Sequence, residues 1–141
     1  MQTQAEMLGA SQRELRLYQE LLATYQGLTV LLTDEQAALD PSMLTSAGDR
    51  ADILTAQLRA LRDVLGPYRV SGDPVSAEIQ ALWRGSAALA AEAAAANVRM
   101  VHHARARQAE ITGKFAELAR GRRVLAAYRP ADSRGDSRRQ A

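Results

Sequence analysis

From Leu44 to Leu65 the apolar residues Leu44, Ala47, Ala51, Leu54, Leu58, Leu61 and Leu65 recur at alternating intervals of three and four without a break. A strand would need intervals of two, whereas a helix with about 3.6 residues per turn lines these positions up along one side. A continuous stripe of this kind has to be buried against other helices. The chain is therefore expected to be all-α, and the remaining questions are how many helices it holds and how they meet.

Three proline pairs punctuate the pattern: Asp40-Pro41, Gly66-Pro67 and Asp73-Pro74. In an Asp-Pro pair the carboxylate can accept from free backbone amides, and proline occupies a first helical position where its missing donor costs nothing. Both pairs are expected to start a helix. Leu39 and Leu44 stand at the two positions of a hydrophobic staple around the first pair. Gly66-Pro67 is expected to end the second helix, with a short loop from Tyr68 to Gly72. The punctuation thus predicts three helices, over about 4–39, 41–65 and 74–120.

The first expected helix places Leu8, Leu15, Tyr18, Leu22, Tyr25, Leu32 and Leu39 on a heptad seam, widened on one flank by Leu21 and Leu28. The third begins on Val75, Ile79, Leu82, Ser86, Leu89, Ala93, Ala96 and Met100. Its middle is rich in alanine, which lets a neighbouring backbone come close but supplies little buried area. Beyond Asn97 the apolar positions move by one, to Val101, Ala104, Ile111, Phe115, Leu118 and Leu125. At roughly 1.5 Å per residue the three helices measure about 54, 38 and 70 Å. The expected architecture is an antiparallel three-helix bundle, a coiled-coil hairpin with a long third helix and a flexible C-terminal tail. In that arrangement the third helix outruns the hairpin near Arg99, and the stripe Val101, Ala104, Ile111, Phe115 and Leu118 needs a partner from outside the chain. A second copy pairing through the same stripe as a homodimer is the plainer alternative.

Composition narrows the function. Among 141 residues there is no cysteine, which excludes a disulfide framework and a thiolate zinc site. Met1 to Gly9 carries no basic residue ahead of its first apolar positions, so no secretory signal is expected there. The weakly polar stretch from Ala87 to Val101 is broken by Glu92, Asn97 and Arg99, short of the roughly 20 apolar residues of a bilayer span. From Arg120 onward seven basic residues face two acidic ones, a local charge of +5. The rest of the chain, with 11 basic and 14 acidic residues, carries −3. Residues 1–121 are thus read as the helical bundle and 122–141 as a basic tail too poor in apolar side chains to order itself.

No residue set announces catalysis. Glycine-rich phosphate loops, activated serines and nucleophilic cysteines are all missing from the sequence, and an enzyme is not expected. His102 and His103 are adjacent, so on a helix they diverge by about 100° and cannot share a metal. Asp34 and Glu35 likewise point apart and read as solvated charge. Trp83, the single tryptophan, reads as a packing residue at the edge of the core. The arginine-rich tail could attract nucleic acid, but its aspartates dilute the charge and it lacks the several interleaved aromatics that stacking on successive bases uses, having Tyr128 alone.

Three stretches resemble the FlgN family of bacterial flagellar export chaperones. One is Leu31-Leu32-Thr33-Asp34-Glu35-Gln36-Ala37-Ala38-Leu39, followed by a short break and a leucine-rich helix, similar to the family's first two helices. The second is Trp83 with Asn97 fourteen residues later, which looks like the tryptophan and asparagine-bearing stretch of the family's long third helix. The third is Tyr128 in Ala126-Ala127-Tyr128-Arg129-Pro130, standing where the family has a tail tyrosine. Arg50 is the candidate for the family's basic residue in helix two, while Met100 stands where a second asparagine is usual and Arg129 replaces the glycine that often follows the tyrosine.

The resemblance implies a cytoplasmic chaperone, needing no nucleotide, metal or other cofactor, that holds the helical terminal segments of the hook-associated proteins joining hook to filament until they leave through the flagellar type III apparatus. It also implies that the third helix carries the cargo and that Tyr128 helps dock on the export gate. Neither nucleic acid nor membrane insertion belongs to that reading. The alternatives are a self-associating structural coiled coil and a helical nucleic-acid binder acting through the tail.

Overall fold

The computed structural model describes residues 4–34 and 40–127; the side chains of Ile111, Lys114, Phe115 and residues 122–127 fall outside that description. The protein is all-α: α1 is Gln4–Thr33, α2 is Pro41–Val70 and α3 is Ala77–Ala127, with no strand among the described residues. The chain divides into two units, Met1–Ala104 and Arg105–Ala141.

At the start of α2 the expected cap is present. Asp40 holds an extended backbone, its Oδ1 accepts from the Ser42 N–H at 2.9 Å and from the Ser42 hydroxyl at 2.7 Å, and Pro41 follows at the first helical position. These two donors to the ionised form hold the Asp40 carboxyl below its ordinary range. The other half of the expected staple, Leu39, lies outside the described residues. So do the other residues of 35–39, which the sequence assigned to the first helix.

In the first unit α1 and α2 run antiparallel, so Glu20 meets Arg50 in the first half of α2 while Glu14, earlier on α1, meets Arg69 in the last turn of α2. Leu17 and Leu21 of α1, Ala51, Leu54 and Leu58 of α2 and Ala93 of α3 form one buried cluster. Met7, Leu65 and Ile79 form a second, with Trp83, Tyr68 and Val75 packed on it. Leu54 and Leu65 are 0% exposed. The stripes expected on α2 and on the first part of α3 are the ones that face inward: Ala51, Leu54, Leu58 and Leu65 on one, Ile79, Ser86, Ala93 and Ala96 on the other. At Gly85 the helices come close, since a Cβ there would stand 3.2 Å from Leu15 Cδ1.

Four local expectations need correction. On α1 the buried line is Met7, Ser11, Glu14, Leu17, Leu21, Leu28 and Leu32. Leu32 of the expected seam and its expected flank Leu21 and Leu28 are on this line, whereas Leu8, Leu15, Tyr18, Leu22 and Tyr25 are half-buried, so toward the N-terminus the expected seam lies about one position off the true one. Two polar residues, Ser11 and Glu14, occupy core positions and break the apolar pattern that would have marked the true line. Next, α2 does not stop at Gly66-Pro67 but continues to Val70. Proline removes one donor near a helix end, and this last turn is held by Leu65, Tyr68 and Arg69, each packed or paired with the rest of the unit. Finally, Asp73-Pro74 does not start α3. The helix begins at Ala77, because Ser76 is the better cap: its hydroxyl accepts from the Ile79 N–H at 3.2 Å, three residues on. Gly72, with φ +73°, makes the preceding turn in a conformation that suits glycine. At its other end α3 reaches Ala127, where Arg120 was expected.

Candidate functional site

The residues proposed to hold a partner all belong to α3, and the described ones fall in two environments. Val101 and Ala104, in the first unit, are half-buried. Leu118, in the second unit, is 60% exposed. From Arg105 to Gly121 every residue whose side chain is described is exposed except Arg107. The side chains of Ile111 and Phe115, and the whole of Tyr128, lie outside the described residues. Val98, three residues before Val101 and 69% exposed, was not among the expected residues, because it falls on neither the apolar stripe before Asn97 nor the one after it.

Among the described residues of this run one ion pair occurs. Arg107 Nη1 lies 3.9 Å from Glu110 Oε2, one turn along, and its Nε is buried without a hydrogen-bond partner among the described residues. Such an (i, i+3) pair adds only about 0.2–0.5 kcal/mol to a helix. Isolated helices are marginal in water, and most helical stability in proteins comes from packing one face. A long helical run that offers a leucine to solvent is suited to receive a second helix.

The polar chemistry of the first unit is concentrated elsewhere. Glu14, 2% exposed, accepts a hydrogen bond from Arg69 Nη2, and the Arg69 guanidinium lies over the Trp83 ring at 5.2 Å. Trp83 Nε1–H donates to Ser11 Oγ at 2.8 Å. The set ties α1, the last turn of α2 and the first turns of α3 together through one buried carboxylate. Trp83 thus sits at the core edge, as expected, with its ring packed and its N–H paired. Sequence reasoning missed Ser11 and Glu14; the available signal was that Ser11 stands four after Met7 and Glu14 three before Leu17.

Elsewhere the expected readings meet simple surroundings. His102 is exposed and His103 half-buried, with ring centroids 5.8 Å apart in an edge-on arrangement. Among the described residues no group of three potential metal ligands occurs. Arg50, the candidate basic residue of α2, bonds Glu20 at 2.7 Å on the surface. No described helix is long and apolar enough to cross a membrane. No protein-family profile, curated protein or solved structure matches the chain.

Proposed function

We propose that the protein is an export chaperone of the flagellar type III apparatus, as its resemblance to the FlgN family implies, and that it works in the cytoplasm by holding the helical terminal segment of a hook-associated protein along α3. The observation that carries this reading is the exposed helical run from Arg105 to Gly121, with Leu118 open to solvent. On the sequence spacing, Ile111, Phe115 and Leu118 share one face of that run. Burying a leucine-sized side chain contributes roughly 1.5–3 kcal/mol, so a few such anchors support micromolar or tighter capture after ordering costs. Binding of this kind uses no nucleotide, metal or catalytic group. Its purpose is to occupy a cargo helix that would otherwise pair prematurely. Tyr128 with its neighbouring arginines then serves weak, reversible docking on an acidic face of the export gate.

The test is capture of a hook-associated protein from the source cell by the full-length chain. Phe115→Ala with Leu118→Ala abolishes capture while leaving the unfolding transition of the first unit in place. Undiminished capture by that double variant refutes the proposed grip. The same exposed run also suits self-association, and this second reading predicts a mass in solution that rises with concentration and ignores added cargo.

A further inference from the structure

A cavity of about 300 Å³ opens where the three helices of the first unit meet, and nothing in the capture of a partner helix uses it. Its floor is Leu21, Leu58 and Ala93, all buried. Tyr18 and Tyr25, seven apart on α1, line it from one helix, and Asn97 of α3 from another. Arg59 and Arg62, three apart on α2, stand at the opening, and both are exposed. No acidic residue lines the cavity, and neither arginine bonds to a carboxylate among the described residues.

The geometry points to a binding site for a small amphipathic carboxylate, an aryl or alkyl chain ending in an anionic head. The apolar floor and the tyrosine faces take the body of such a molecule. The two guanidiniums, on one face of α2 and without an acidic partner, offer paired donors to the head, and charge-assisted hydrogen bonds of this kind are the strong ones. Size selects a small molecule over a helix: the volume is at the lower end of ligand cavities, roughly 300–1,000 Å³, whereas a helix with its side chains is about 10 Å across. The alanines Ala90 and Ala94 on the α3 side leave the space that larger residues would fill. The site lies wholly in Met1–Ala104 and does not depend on the chaperone reading, so either can fail alone.

The probes are 4-phenylbutyrate, 4-phenylbutanol and 4-phenylbutylamine, titrated calorimetrically into the full-length protein. The carboxylate binds saturably in the millimolar range or below, the alcohol about tenfold more weakly, and the amine not at all. Arg59→Gln with Arg62→Gln weakens the carboxylate about tenfold and leaves the alcohol unchanged. Ala94→Leu, which fills the cavity from an exposed position on α3, removes both. Circular dichroism matching the parent shows that these variants remain folded, and resonance shifts of the Tyr18 and Tyr25 rings locate the ligand. Equal binding of all three probes, no saturable binding of the carboxylate, or undiminished binding by the arginine variant overturns the site.

Discussion

The two units of this chain, both rich in alanine and arginine, put their leucines to opposite ends. In Met1–Ala104 leucines of α1 and α2 are driven below a tenth of their free exposure, and even a carboxylate is buried because Arg69 meets it. In Arg105–Ala141 the described side chains are nearly all in water, Leu118 among them. Among the described residues, the difference lies in whether a leucine is covered by apolar side chains of other helices. A leucine that contributes to stability in one setting is available for recognition in the other.

Truncating one leucine in each unit gives the largest contrast. Leu54→Ala leaves a cavity at a site with 0% exposure and lowers the unfolding free energy by about 2–5 kcal/mol in urea titrations followed by circular dichroism. Leu118→Ala shifts it by no more than about 0.5 kcal/mol. Equal effects would mean that the two environments do not differ as described.

Next comes the buried ion pair. Arg69→Met leaves the Glu14 carboxylate buried without a counter-charge and removes the cation over Trp83, costing about 3 kcal/mol by the same measurement. Combining it with Glu14→Met restores most of the loss, since two apolar side chains can replace a buried pair at little cost. If Arg69→Met alone is neutral, the pair does not hold the end of α2.

These contrasts also explain what the sequence could disclose. The α2 stripe and the first α3 stripe were legible because every inward position from Leu44 to Leu65 and from Ile79 to Met100 is apolar or small. On α1 the inward line passes through Ser11 and Glu14, whose burial depends on Trp83 and Arg69, 72 and 55 residues away in sequence. A period count treats them as solvent-facing and slides the seam to Leu8 and Leu15. The caps diverge for a related reason. Asp40-Pro41 and Asp73-Pro74 look alike in sequence, but at the second pair a nearby serine, Ser76, has a hydroxyl that reaches the third residue of the helix. The run past Gly66-Pro67 likewise rests on tertiary partners that no local rule contains. For the candidate site, the long helix α3 was legible, and Leu118 as an apolar position on it. The cavity ringed by Tyr18, Tyr25, Arg59 and Arg62 was not, because it depends on the depth to which alanines on α3 leave space.

The smallest effects separate the units most finely. Gly48 of α2 and Gly113 of α3 both have open space where a Cβ would stand. Gly48→Ala raises the global unfolding free energy by about 0.5–1 kcal/mol. Gly113→Ala leaves the global transition where it is and slows amide exchange only in its own neighbourhood. A shared shift in the global transition would make the two units one cooperative structure.

Hydrogen exchange read by mass spectrometry, in the free protein and with the helical terminal segment of a hook-associated protein, tests the central claim most directly. Amides around Leu54–Leu58 and Ile79–Ala96 exchange slowly in both states, while those of residues 105–121 exchange fast in the free chain and become protected when the segment is added. Protection of residues 105–121 equal to that of the first unit in the free protein, or no change at saturating segment, would contradict the account.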